Sequence, residues 1–306
     1  MDNIFVLVNP ASANGTTRDI WPQIAAAMEA QGLIFDHQMT TAVFQAPDLV
    51  RNALKAGKTT IISVGGDGTA NEVANGFFEG EKPINPQARL GIISRGTGCD
   101  LIKTLGIPKD YEGAVAVIAK NREQPMDLVL AEFQDKNGMK AQRWFTNIAD
   151  AGLGATVCNR VNHTSKSSGG FLSFLYGTLW SFLTYKIVQG RVEADGSLVY
   201  EGSLSLAAVA NGRYFGGGMH LAPMAHIDDG KIDLIVIQGM TKLSLLLNLA
   251  KIYKGTHLTH PKISFYTAKD VRVSGTTPLL IELDGEVPGT TPVHYRIIPG
   301  AIRVLS

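Results

Sequence analysis

The sequence predicts an α/β first half joined to a mainly β second half. Three observations carry this reading. Up to about residue 125 short apolar runs alternate with helical patterns, and beyond it strand-like runs follow one another with two helices between. The chain's 306 residues also exceed what a single core usually serves. Alternating strands and helices mean βαβ units and a parallel sheet. Successive strands mean a sandwich or an open barrel.

Residues 4–8 form an apolar run closed by Asn9-Pro10, and Ile20, Ile24, Ala27 and Met28 fall at helical spacing. A second strand is predicted over 33–39 and a second helix over 46–56, with Leu49, Val50 and Leu54 on one face. The β-branched run 60–64 stops at two glycines, 70–78 reads as a helix, 90–93 as a strand and 100–105 as a helix. In the second half, 128–133, 144–148, 198–200, 204–210, 232–237, 271–274 and 279–283 read as strands. Helices are predicted near 171–187 and 242–254, the latter opened by Thr241 as N-cap and closed at Gly255. No repeat, low-complexity tract or long linker separates the halves, so they are expected to meet along a cleft, a common place for ligands.

Composition narrows the functional classes. Hydrophobic residues make up 45% and charged residues 18%, ordinary for a chain with a large core. A formal net charge of +1 provides no basic face for nucleic acid. Cys99 and Cys158 show neither metal spacing nor a disulfide framework, which fits a reducing cytoplasm. Met1-Asp2-Asn3 leads directly into the first strand, so no signal peptide is expected. The most apolar stretch, 169–188, is interrupted by Ser173, Ser181, Thr184 and Lys186. A membrane span needs about 20 predominantly apolar residues. A buried or half-buried helix is therefore expected there, or one that touches lipid or a bilayer surface.

The strongest local signal runs from Ser63 through Gly65-Gly66-Asp67-Gly68-Thr69 to Asn71-Glu72. A strand ends in glycines, an acid and a hydroxyl, and a helix follows. Glycines let backbone approach a ligand closely, and a helix N-terminus offers unpaired amides to phosphate. Asp67 could hold Mg²⁺, which takes oxygen ligands and keeps several waters. A tight turn without a ligand is the alternative. There is no GxGxxG, and Gly57-Lys58-Thr59 has Asn52 where a P-loop needs glycine. At Asp284-Gly285-Glu286 a regular strand would aim both acids at one cleft, since residues i and i+2 share a face. A bend at Gly285 or a polar hairpin turn is the alternative. Asp228-Asp229-Gly230 is open to an ordinary Asp-Gly turn. His257-Leu258-Thr259-His260 lacks a third ligand and reads as a helix exit.

Taken in order, these blocks resemble the diacylglycerol kinase catalytic-domain family, which includes bacterial soluble lipid kinases, sphingosine kinases and ceramide kinases. Val8-Asn9-Pro10 with Gly15 resembles its opening loop, and 65–72 its GGDGTxNE. Gly96-Thr97-Gly98-Cys99-Asp100 followed by Leu105-Gly106-Ile107-Pro108 resembles GTxND…LGIP. Asn147 to Gly154 resembles the segment after the domain boundary. Gly216-Gly217-Gly218 with Pro223, Ala225 and Asp228-Asp229-Gly230, then Gly255-Thr256-His257, then Asp284-Gly285-Glu286 complete the series.

The resemblance implies an N-terminal α/β nucleotide-binding domain over 1–125, similar to NAD kinases and phosphofructokinases. It implies a C-terminal β-sandwich over 126–290, with 291–306 returning to the first domain through a strand near 295–304. The implied reaction is Mg²⁺-dependent transfer of the ATP γ-phosphate to a lipid hydroxyl, of diacylglycerol or a related lipid. Asp67 would anchor Mg²⁺ through water. Asn9, Pro10, Gly15, Thr41, Gly65, Gly66, Gly68, Thr69, Asn71, Glu72 and Thr97 would surround ATP. Glu286 would accept the hydroxyl proton with Asp284 as its partner; carboxylates of pKa about 4 are weak bases at pH 7, so orienting the hydroxyl would contribute most. A structural Mg²⁺ would sit on the Asp229 side chain and the carbonyls of His226 and Lys231. The chain departs from the family at Ser94-Arg95, at Cys99 in place of Asn, at Asp150 in place of a small residue and at His226 in place of Lys, and Arg18 near the phosphate loop has no assigned role. Cys99 motivates one competing reading, a catalytically weak nucleotide-binding regulator; an NAD kinase is another, though there the NE motif stands much further downstream. A cytoplasmic enzyme with peripheral contact at the inner membrane surface is expected. The acceptor and the assembly state, a homodimer included, stay open.

Overall fold

The computed structural model describes residues 3–164, 184, 185 and 187–306. Most of the helix expected over 171–187 therefore lies outside the described residues.

The first half runs β1 (Ile4–Val8), α1 (Thr16–Ala30), β2 (Phe35–Met39), α2 (Ala46–Lys55), β3 (Thr60–Gly65), α3 (Asp67–Asn75), a short hairpin β4 (Phe78–Glu79) and β5 (Lys82–Pro83), β6 (Arg89–Ser94), α4 (Asp100–Leu105) and α5 (Tyr111–Lys120). β1 pairs in parallel with β2 and β3, and β3 with β6. β1 and β3 are buried along their whole length because helices cover both faces, which is why β1 reads as a continuous apolar run and β3 as a largely β-branched one. Helix α5 was not anticipated, although Asp110 caps it by accepting the Gly113 N–H at 2.7 Å and Ala114, Val115 and Ile118 face the core.

The second half comprises β7 (Glu123–Asp135), β8 (Lys140–Phe145), β9 (Ile148–Gly152), α6 (Leu153–Thr164), β10 (Val188–Ala194), β11 (Ser197–Ala210), β12 (Ile232–Gln238), α7 (Lys242–Tyr253), β13 (Ile263–Ala268), β14 (Asp270–Gly275), β15 (Leu280–Leu283) and β16 (Glu286–Leu305). The runs at 198–200 and 204–210 belong to the single strand β11, and β10, β13 and α6 add to the reading of the sequence. Thr241 caps α7 by accepting the Ser244 N–H, and Gly255 follows the helix with φ +66°.

Strand β16 decides how the halves join. It begins at Glu286, well before the strand expected over 295–304, and pairs antiparallel with β15, β7 and β14. Its last residues then pair in parallel with β6, Arg303 opposite Arg89 and Val304 opposite Leu90. Val293, Tyr295 and Ile297 lie in the core of the β half, whereas Ile302, Val304 and Leu305 lie in the α/β core. One sheet consequently runs through both halves in the order β13-β12-β11-β10-β14-β16-β6-β3-β1-β2. A third cluster, around Leu206, Ala208, Ile235 and Leu245, packs under α7. Among the described residues no helix is long and apolar enough to cross a membrane.

Candidate active site

The parallel order of β2, β1, β3 and β6 brings the loops after β1, β3 and β6 to one edge, where open α/β sheets bind ligands. Asn9 follows β1, and its Nδ2 donates to Thr69 Oγ1 at 2.9 Å, tying the first loop to α3. A Cβ at Gly65 would stand 2.4 Å from Thr69 Oγ1, and one at Gly96 would stand 2.8 Å from the Gly66 Cα. The two glycine loops therefore cross in backbone contact, which only glycine allows. Gly66 is extended and caps α3 without any side chain, so the first amides of α3, with Gly68 exposed, stand ready for an anion. Pro10 is buried, and Gly15 opens α1 with φ +88°. Arg95 reaches Thr16 Oγ1 at 3.3 Å and lies between the same loops. Thr97 is exposed; Thr41 is exposed too, its N–H and Oγ1 both donating to Gln45 Oε1 at 2.7 and 3.1 Å.

Asp67 faces the start of α4, accepting the Asp100 N–H at 3.1 Å and the Leu101 N–H at 3.3 Å. Burial pushes its carboxyl above the usual carboxylate range, and Asp100 and Asp284 add to the push while the two amides oppose it. Cys99 takes the left-handed conformation (φ 52°) that suits Asn, and its Sγ donates to the Gly96 carbonyl at 3.0 Å. Asp100 accepts Lys103 Nζ at 2.8 Å and the Gly217 N–H at 2.8 Å, so the triple-glycine loop of the β half docks on α4. Glu72 sits near the Ala46 and Phe44 amides, Arg143 and Glu286; burial raises its carboxyl, and the Ala46 amide and Arg143 are among the groups that hold it down.

The geometry corrects the expectation for Asp284-Gly285-Glu286. Asp284 (φ 48°) and Gly285 (φ 90°) form the two-residue turn between β15 and β16, and Leu283 pairs with Glu286. The two acids do not share a strand face. Asp284 Oδ2 accepts the Thr146 N–H (2.7 Å), Thr146 Oγ1 (2.6 Å) and Asn71 Nδ2 (2.8 Å), while Oδ1 accepts the Asn147 and Ile148 N–H groups at 3.0 Å. It pins the turn to β9 and to α3. Asn71 and Asn75 also donate to the Trp144 carbonyl at 3.1 and 2.9 Å, and Trp144 Nε1 donates to Gly80 O. The half-buried Glu286 thereby starts its strand beside α3.

Beneath the turn lies a second pair of acids. Glu282 and Asp150 stand opposite each other on β15 and β9, and both are buried. Glu282 accepts the Gly285 N–H, and Asp150 Oδ1 accepts the Ala155 N–H at 2.8 Å. Their other oxygens meet no N–H or O–H donor among the described residues. A proton held between them would satisfy both, and burial raises the two carboxyls, Glu282 well above its usual range and Asp150 to about 7. From α6, Cys158 Sγ and Asn162 Nδ2 each donate to the Gly285 carbonyl at 3.0 Å, so both peptide groups of that glycine are held.

The Asp229 loop lies apart, near the crossing of β7 and β16. Asp229 Oδ1 accepts the Lys231 N–H at 3.0 Å, an Asx turn; Asp229, His226 and Lys231 are exposed. Asp127, buried in β7, accepts the Gly230 N–H at 2.6 Å and the Gly300 N–H at 2.7 Å. Burial, with Asp229 adding, raises Asp233 to about 6. No group of three or more His, Cys, Asp or Glu side chains suited to a metal occurs among the described residues; a site of one carboxylate and two carbonyls is not of that kind. His257 starts a 3₁₀ turn after α7, and His260 Nδ1 accepts the Lys262 N–H at 3.1 Å.

Comparison with known proteins decides the family. Residues 3–131 match the family model for the diacylglycerol kinase catalytic domain, and residues 147–306 match the YegS C-terminal NAD kinase beta sandwich-like domain. The chain belongs to the diacylglycerol kinase family. It is 30% identical over 303 residues to the diacylglycerol kinase of Staphylococcus haemolyticus (strain JCSC1435), covering 98% of this chain and 87% of that one. Against the diacylglycerol kinase of Staphylococcus aureus (strain Newman) it is 29% identical, covering 98% and 91%. A crystal structure from Bacillus anthracis str. Sterne, provisionally designated a diacylglycerol kinase, superposes with a TM-score of 0.81 at 25% identity, over 99% of this chain and 95% of that one. Yeast NADH kinase complexed with NADH shares the fold alone, with a TM-score of 0.54 at 10% identity, over 99% of this chain and 82% of that one. Family membership makes the protein a kinase.

Sequence reasoning missed Asp127, Arg143, Thr146 and Glu282. Asp127 and Glu282 carried a usable signal, a lone acid inside an apolar strand (Met-Asp-Leu-Val-Leu and Leu-Ile-Glu-Leu). Thr146 carried none, because it acts through a turn nearly 140 residues away in the chain (|i−j| = 138).

Proposed function

We propose that this family member transfers the γ-phosphate of ATP to the hydroxyl of diacylglycerol or a related lipid, with Mg²⁺ as its metal. One observation carries the reading: the hydrogen bond from Asn71 to Asp284 at 2.8 Å, which brings the turn before Glu286 against the helix that follows the glycine loop. In this reading residues 1–125 with 291–306 hold ATP and 126–290 hold the acceptor. The α3 amides, with Asn9 and Thr69, receive the phosphates. Glu286 orients the lipid hydroxyl and takes its proton as the new P–O bond forms. Asp284, saturated by its five donors, holds the turn and leaves the base role to Glu286.

Asp67 suits Mg²⁺ held through water. Its carboxylate keeps free lone pairs beside two amide donors, and the neighbouring acids that raise its pKa would be relieved by a cation. Bound there, the metal would neutralise charge on the β- and γ-phosphates. A second Mg²⁺ is proposed at Asp229 with the carbonyls of His226 and Lys231. The enzyme would work in the cytoplasm and meet its lipid by peripheral contact.

The test is transfer of radiolabelled γ-phosphate from MgATP into a panel of lipids in mixed micelles. Label is expected in one lipid, reduced at least ~10²-fold in Asp67→Ala and in Glu286→Ala. Failure to label any lipid while ATP still binds would overturn the reading.

A further inference from the structure

Helix α7 turns an apolar stripe outward. Leu245 is buried, and Ile252, two turns on, packs against the same core. On the opposite side Leu243, Leu246 and Leu247 are 65%, 40% and 67% exposed, a spacing that forms one helical face. Ala250 and Lys254 continue that face, Lys251 flanks it, and all three are exposed. The patch extends past the helix end: a Cβ at Gly255 would lie 3.0 Å from Pro223, and the next residue, Met224, is 63% exposed.

The charge of this segment is equally one-sided. Between Asp233 and Asp270 the chain carries Lys242, Lys251, Lys254, Lys262 and Lys269 and no Asp or Glu. Those five positive charges compare with +1 for the whole chain, so the remainder, 23 Lys and Arg against 27 Asp and Glu, is net negative. An outward leucine stripe edged by lysines on an otherwise acidic molecule suits a surface both apolar and anionic. A second copy of the same face would set lysine against lysine.

We propose that α7 is the membrane-docking helix, lying flat on an anionic bilayer with Leu243, Leu246 and Leu247 in the headgroup boundary. The proposal rests on the reading that the acceptor is a lipid met at a surface, and it names the surface through which the protein meets it.

The test is cosedimentation of the full chain with vesicles of phosphatidylglycerol and phosphatidylcholine, and with phosphatidylcholine alone. It is run beside Leu243→Glu/Leu247→Glu and Lys251→Glu/Lys254→Glu. The expected result is binding to the anionic vesicles that weakens about tenfold or more in each variant and in high salt. Melting temperature should stay unchanged, as should transfer to a short-chain acceptor dissolved as monomers. Three results overturn the proposal: no vesicle binding by the unsubstituted chain, equal binding by the variants, or a dimer in sedimentation velocity that the leucine variant abolishes without any vesicle binding. A leucine variant that melts lower yet binds vesicles normally also overturns it, in favour of a stripe that serves the fold. Vesicle binding with the expected variant losses but no lipid phosphorylated supports the docking helix and removes the lipid-kinase reading instead.

Discussion

Glu282 and Asp150 face each other, both buried, in the folded protein, and the rise in their proton affinity has a thermodynamic consequence. Both carboxyls are raised by burial, Asp150 to about 7, whereas in the unfolded chain carboxyls titrate near ~4. The folded state therefore binds more protons than the unfolded state across that interval, and stability falls as pH rises through it. The contribution is complete below the unfolded values and is lost as pH rises, the Asp150 part of it through about 7. Melting temperature should decline between pH 5 and pH 8. Glu282→Gln keeps an acceptor for the Gly285 N–H and supplies an amide donor to Asp150 without a titrating proton, so its melting curve should be flatter over that range. An equal slope in the variant would remove this acid pair as the cause. Asp284 is a different kind of acid: its five donors make it a fixed joint between β9, α3 and the turn.

Among the elements, the β3–α3 junction tolerates least. Adding one methyl group at Gly65 sets a carbon 2.4 Å from the Thr69 hydroxyl, which is itself bonded to Asn9. Gly65→Ala should cost about 1–3 kcal/mol in chemical denaturation and weaken ATP binding measured by calorimetry, because α3 must shift away from the loop after β1. The strands and helices around this junction were legible in the sequence because burial on both faces leaves an uninterrupted apolar run in β1 and a largely β-branched run in β3. The second half was harder. β10 and β13 alternate between buried and exposed residues and mix polar with apolar side chains, which dilutes the apolar signal. The Asp284 turn was misread because period-two reasoning assumes a continuing strand, and a two-residue hairpin with positive φ breaks that assumption. Asp67 and its glycines were legible because their chemistry is local, whereas the partners of Asp284 come from β8–β9 and α3 and are set only by the tertiary fold.

The whole molecule is organised around β16. Because it gives Val293, Tyr295 and Ile297 to one core and Ile302, Val304 and Leu305 to the other, neither half completes its packing without it. The two halves should unfold together: one calorimetric transition whose enthalpy equals the van't Hoff value. Two resolved transitions would contradict that coupling. The seam also carries its own optical reporter. The chain has three tryptophans, and Trp144 is buried at the junction, stacked on Phe78 at 4.5 Å with its indole N–H on the Gly80 carbonyl. Its backbone is clasped by Asn71 and Asn75 of the helix that starts at the glycine loop. A rotation of one half against the other would change the polarity around that ring, so in a background where Trp21 and Trp180 are phenylalanine, the colour of the remaining emission would report it.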